Sequence, residues 1–240
     1  KWRRLANPEG EVWWISWIFL SLAVLTKGPV ALVLSGLTII FFSFSQNNFF
    51  GNLRILRVIP GFFIVLFVSS PWYLIELSIE GKPFFDSFFG YHNLQRFTSV
   101  VNYHGEPWWF FLIILCIASL PFTPFLLISI WKNFCNIYNG SSGSIKEPDK
   151  SLFEFSFFWL LAVFLFFTIS ATKLPSYWLP ATPAASILIS LSLSNNIKEE
   201  VLKSLAWKLT IFLSILFSIF LFFSKQWIEP INDLEIPDLS

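Results

Sequence analysis

The chain has 240 residues, of which 55% are hydrophobic and 13% charged, with net charge +1 and mean hydropathy +0.66. Soluble domains carry about 25% charged residues, so this sequence has too little polar surface to cover a water-soluble core. That excludes a soluble enzyme, a disordered protein and a nucleic-acid binder with a basic surface, and leaves an all-α, polytopic helical membrane protein. The 31 Phe and 12 Trp suit side chains facing lipid tails and head groups.

A spanning helix needs about 20 mostly apolar residues. Apolar stretches fall at 12–26, 29–45, 58–75, 108–131, 153–171, 176–194 and 205–224, seven spans in all. The first two are short and are divided only by Lys27-Gly28-Pro29, where Gly ends one helix and Pro opens the next. They read as two tilted spans or as one re-entrant hairpin, with the same parity downstream. The region 1–224 is thus one transmembrane unit, with a long outer loop at 76–107, a Gly/Ser-rich cytoplasmic linker within 132–152 and an acidic outer tail at 225–240. The chain contains no Met, which leads to the expectation of a fragment or processed product. Cys116 and Cys135, if they share one helix, lie roughly 28 Å apart and cannot pair.

Eleven of the sixteen basic residues fall in the connections around 1–11, 46–57, 132–152 and 195–208. The positive-inside rule puts those connections and the N-terminus in the cytoplasm. The remaining five, Lys27, Lys82, Arg96, Lys173 and Lys225, are then at the outer side. Lys82 and Lys225 read as ordinary lysines snorkelling to the head groups. Lys27 and Lys173 each sit at a Pro-containing break, and Arg96 lies in the outer loop, so these three suggest a cationic pocket for a phosphate at head-group depth. Within 84–97, Phe85, Phe88, Phe89, His92 and Arg96 recur at helical spacing and predict an interfacial amphipathic segment. Gly81, Pro83 and Gly90 argue against one continuous helix there. His92 and His104 are the only histidines, and their spacing matches no helical metal-ligand pair.

Five segments occur in order: Leu25-Thr26-Lys27-Gly28-Pro29-Val30-Ala31, Pro71-Trp72-Tyr73, Phe88–Phe97, His104-x-x-Pro107-Trp108-Trp109 and Lys173-Leu174-Pro175-Ser176-Tyr177-Trp178-Leu179-Pro180. The set resembles the bacterial branch of the protein O-mannosyltransferase-like family, which includes the lipid A aminoarabinose transferases, over roughly residues 12–194. The resemblance implies a GT-C fold in the bacterial inner membrane, a polyprenyl-phosphate sugar donor, and a lipid, glycan or protein acceptor on the outer face. It implies that Arg96 and Tyr177 hold the donor phosphate, with Lys173 and Lys27 in support, and that His92 contacts a divalent metal. No other cofactor is expected, and no Gly-rich phosphate loop is present. The family's catalytic Asp lies in a first outer loop; none precedes Lys27 here, so the general base is expected upstream of Lys1. A polysaccharide polymerase or ligase, and a transporter or flippase of lipid-linked substrates, are the rival readings. The Lys-Leu-Pro-x-Tyr turn speaks against the first, and the scarcity of mid-span charges against the second.

Overall fold

The computed structural model describes residues 13–101, 105–139, 147–195 and 200–227, and every element among them is helical. In chain order these are α1 (Trp13–Lys27), α2 (Val30–Ser45), α3 (Phe49–Leu56), α4 (Val58–Glu80), α5 (Lys82–Phe85), a π-helix π1 (Asp86–Gln95), α6 (Arg96–Thr98), α7 (Phe110–Ala118), α8 (Thr123–Asn139), α9 (Glu147–Ile169), a 3₁₀ helix (Pro175–Ala181), α10 (Thr182–Asn195) and α11 (Glu200–Trp227). Among the described residues, three stretches are long and apolar enough to cross a membrane: Val58–Glu80, Lys150–Ile169 and Ser204–Ser224. At 1.5 Å per residue, α4 is about 34 Å long, which matches a hydrocarbon core of about 30 Å. α1 and α2 are apolar but shorter.

The helices pack in a row, with α9 at its centre. α9 lies against α2 on one side and α10 on the other, α1 joins α2 to α4, and α8 joins α10 to α11. The main core follows from that placement. Phe157, Leu160, Val163 and Phe167 of α9 pack with Leu34, Phe111, Leu126, Trp178, Ala184 and Leu188. Small residues let the α9–α10 backbones approach, since Ala162, Ala181 and Ala184 are fully enclosed. A smaller cluster of Trp17, Val24 and Val65 joins α1 to α4. By contrast α11 carries a row of exposed apolar side chains, among them Ile211, Phe212, Ile215, Phe220 and Phe222, as a helix facing lipid would.

The structure refines four sequence expectations. The stretch 108–131 is two helices, because Pro121 lacks an N–H and its ring blocks the preceding turn. Thr123 Oγ1 then donates to the Cys116 carbonyl freed by the break, at 2.7 Å. Cys116 and Cys135 consequently belong to different helices, and both are free. The outer loop 76–107 is largely ordered helix: α4 runs on to Glu80, and 82–98 is helical throughout. Pro83 sits in the first turn of α5, where a missing N–H costs little, and Gly81 turns the chain at φ +66° before it. Finally, helix extends to Asn139 and resumes at Glu147, so the linker is shorter than 132–152, and the tail at 225–240 begins in helix. Residues 228–240 and 1–12, with the N-terminal basic cluster, lie outside the described residues.

Gly61 of α4 is seated on the Trp17 indole, whose Nε1 donates to the Leu56 carbonyl at 2.8 Å, while Gly36 of α2 has open space around it. Gly61→Ala is expected to destabilise the protein by about 1–3 kcal/mol through overpacking. Gly36→Ala should be neutral or stabilising by up to about 1 kcal/mol. Thermal unfolding of the two variants in the same detergent checks the contrast; equal shifts would contradict the α1–α4 packing.

Candidate functional site

The four residues expected at the phosphate fall at three breaks between helices. The first is the turn between α1 and α2. Lys27 ends α1 with an exposed side chain, and the N–H of Gly28 closes on the Val24 carbonyl at 2.7 Å. Gly28 is buried at φ +73°, a region that suits glycine. A Cβ there would stand 3.0 Å from Phe88 and 3.4 Å from the Asn93 amide, so the turn is pressed against π1. The Tyr73 hydroxyl donates to the same Val24 carbonyl at 2.6 Å, and its ring packs on Phe88 and Phe89. α4, the Lys27 turn and π1 therefore meet around one aromatic cluster, completed by Trp72 and Phe84.

The second break follows Thr98, and Arg96 stands in the last turn before it. In π1 the backbone bonds run from i to i+5, and the N–H of Arg96 accordingly reaches the Tyr91 carbonyl. Its guanidinium lies over the Tyr91 ring, 5.7 Å from the centroid. Phe84 is buried within the protein, whereas Phe85 is 53% exposed. The side chain of His92, and all of His104, lie outside the described residues, so the metal expectation is untouched by this geometry. Among the described residues, no three His, Cys, Asp or Glu side chains cluster as a metal site.

The third break, between α9 and the 3₁₀ helix, holds Lys173 and Tyr177. Lys173 is only 8% exposed, and its Nζ donates to the Ser170 carbonyl at 2.9 Å. An ammonium has three donors, so two remain for another acceptor. Neither Lys173 nor Arg96 pairs with a carboxylate among the described residues. Tyr177 is half-buried and stacks on Phe167 of α9 with ring centroids 4.8 Å apart. The turn reaches back to the second break through its backbone: Ala171 N–H donates to Phe97 O at 2.9 Å and Thr172 N–H to Arg96 O at 3.1 Å.

Arg96 and the Lys173–Tyr177 turn are thus brought together directly, and Lys27 joins them through π1. Sequence reading missed the residues that make these joints: Gly28 as a seat, Asn93, Tyr73, and the buried hydroxyls of Ser170 and Thr172. A signal for the last two was present, since Ser-Ala-Thr directly before a turn is a run of backbone-bonding side chains.

No family model matches the chain. An uncharacterized protein of Aquifex aeolicus is 29% identical over 182 residues, covering 76% of this chain and 38% of that protein. The undecaprenyl phosphate-alpha-4-amino-4-deoxy-L-arabinose arabinosyl transferase of Yersinia pestis is 28% identical over 187 residues, covering 75% of this chain and 30% of that protein. The fold matches the crystal structure of ArnT from Cupriavidus metallidurans bound to undecaprenyl phosphate with a TM-score of 0.68 and 26% identity, over 94% of this chain and 37% of that one. The chain therefore spans less than half the length of the relatives it matches. It resembles the ArnT-like GT-C proteins in sequence, has their polytopic helical fold, and is a multi-pass protein of the bacterial inner membrane.

Gly28→Ala is expected to cost about 1–3 kcal/mol, because the strained φ and the contact with Phe88 add together. It should also speed amide hydrogen exchange in 84–96 more than in α9; uniform exchange along the chain would separate the turn from π1.

Proposed function

We propose that the chain forms part of a membrane glycosyltransferase. It moves a sugar from a polyprenyl-phosphate-linked donor to a lipid, glycan or protein acceptor on the outer face of the inner membrane. The observation that carries this reading is the convergence of three helix breaks, each bearing a cation or a phenol, with Arg96 and the buried Lys173 lacking carboxylate partners among the described residues. The transferase name of the Yersinia relatives and the undecaprenyl phosphate bound to the Cupriavidus protein support the same donor class.

In this reading the donor phosphate sits at head-group depth between Arg96, Lys173 and Tyr177, with Lys27 adding positive potential from the neighbouring turn. The guanidinium offers a planar fork, the ammonium a point charge and the phenol a neutral donor. An acceptor hydroxyl attacks the anomeric carbon, the bond from that carbon to the phosphate oxygen breaks, and polyprenyl phosphate leaves with the bonding pair. Cations at the departing phosphate lower the barrier by stabilising the charge it gains. The acceptor proton passes to a general base, a role the resemblance gives to an Asp outside these residues. The resemblance also gives His92 a metal contact; its side chain lies outside the described residues, and no step is assigned to a metal.

The breaks that carry the cations face outward in this reading, with the N-terminus in the cytoplasm. Cysteines introduced at Asn93 should label from the periplasm and those at Asn139 from the cytoplasm; the reverse pattern overturns the orientation. Arg96→Ala should weaken undecaprenyl phosphate binding by about 10- to 100-fold, the loss expected for a charge-assisted contact. Tyr177→Phe should weaken it by a smaller factor. Titration of the chain in nanodiscs reads both, and unchanged affinity would remove the residue concerned from the site.

A further inference from the structure

We infer that Thr172 is a positioning residue whose buried hydroxyl holds residues 96–101 against the turn at 170–173, and so sets the Arg96 guanidinium relative to the Lys173 ammonium. The inference rests on the phosphate reading of Arg96 and Lys173 given above and adds the group that keeps the two in register. Thr172 is fully buried and contributes nothing that a substrate could touch.

The segment after π1 has a particular difficulty. α6 ends at Thr98, and Ser99 is extended at φ −136° and ψ 155°, so the backbone groups that follow have no helical partners. Val101 is buried, with its N–H unable to reach water. Thr172 Oγ1 resolves both sides of this. It accepts the Val101 N–H at 3.0 Å and donates its own proton to the Ser99 carbonyl at 2.8 Å, the full use of one proton and one lone pair. The main chain of the same residue donates to Arg96 O, and that of Ala171 to Phe97 O. The Ser170 hydroxyl stands within bonding distance of Arg96 O as well, at 3.3 Å, and Phe97 stacks on Phe166 of α9 at 5.0 Å. The two segments are more than 70 positions apart in the chain, yet Thr172 touches the second one on both sides of the α6 terminus. Arg96 is the first residue of that single turn, so any slip of 99–101 moves its side chain. Lys173 follows Thr172 directly and has its own Nζ fixed on Ser170 O. The hydroxyl therefore sets Arg96 against a turn in which Lys173 is held by its own bond.

The test compares Thr172→Val, which keeps shape and loses the hydroxyl, with Thr172→Ser, which keeps the hydroxyl. The chain in nanodiscs is titrated with undecaprenyl phosphate, and amide exchange is followed over 96–101. Thr172→Val should weaken binding about tenfold, as a misplaced charged contact does, and speed exchange over 96–101 while α9 keeps its protection. Thr172→Ser should stay within about threefold of the parent. In the Arg96→Ala background, Thr172→Val should weaken binding no further, because its effect runs through Arg96. If Thr172→Val fails to accumulate, Thr172→Cys, which differs from Thr172→Ser only in carrying a poorly hydrogen-bonding thiol, serves the same comparison. Losses that add in the double variant, or normal affinity in Thr172→Val beside a weakened Arg96→Ala, overturn the role of Thr172 and leave the phosphate reading standing. Normal affinity in Arg96→Ala itself overturns the phosphate reading, and the role of Thr172 with it.

Discussion

Inside hydrocarbon a peptide group has no water to bond, so every interruption of a helix must find its partner in the protein. That constraint explains where the tertiary contacts of this chain concentrate. The spans themselves satisfy their own backbones and pack through apolar side chains that lipid could replace. The breaks cannot. At the first, Gly28 N–H and the Tyr73 hydroxyl share the Val24 carbonyl. At Pro121, Thr123 returns a hydroxyl to Cys116. After α9, Ser170, Thr172 and Lys173 serve carbonyls on both sides of the turn. At the far end of the row, Trp17 crosses from α1 to take the last carbonyl of α3. Three of these bonds, from Tyr73, Thr172 and Trp17, reach a distant element, so bonds that satisfy the backbone also assemble the bundle.

Lys173 shows how this structural demand and the proposed chemistry occupy the same atoms. A buried ammonium with no acid partner among the described residues is costly, and one carbonyl offsets only part of that cost. Replacing it with an apolar residue would relieve the charge but abandon the Ser170 carbonyl. An anionic ligand accepting from the two remaining N–H groups resolves the imbalance without loosening the turn. A cation held this way is pre-set for a phosphate and needs no rearrangement to meet it, the condition under which electrostatic stabilisation is most effective.

The class of the fold was legible because hydropathy reports burial in lipid directly, and apolar run length reports spanning capacity. α1 and α2 emerged from it within one residue of their observed bounds, α4 at its start and α9 near its C-terminal end. What hydropathy could not report was local backbone geometry within an apolar run. Pro121 divides Phe110–Ala118 from Thr123–Asn139, and the 3₁₀ turn Pro175–Ala181 opens what read as a uniform span. The site was half legible for the same reason. Lys27, Arg96 and Lys173 stood out as charges at membrane depth, whereas Ser170 and Thr172 show locally only as backbone-bonding side chains before a turn, with their partners more than 70 positions away. Gly28 was read as a helix terminator, and its second role, leaving room for Phe88, depends on a contact no local pattern encodes.

The π-helix accounts for the remaining differences between pattern and structure. With bonds from i to i+5, each turn takes in one more residue than an α-turn, so the face expected from 3- and 4-residue spacing shifts along the chain. Phe84, just before the π-helix, is buried and stacks on Phe88 with centroids 5.5 Å apart. At the other end of the segment Arg96 meets Tyr91, five residues back. The Tyr91 carbonyl receives the Arg96 N–H, and the Tyr91 ring lies beneath the guanidinium. A cation–π contact of this kind contributes about 0.5–1 kcal/mol at an exposed site. It orients the planar fork without neutralising it, which a carboxylate neighbour would do. The wider helix thus places an aromatic ring beside the one arginine of the proposed phosphate grip, and leaves its charge available to a ligand.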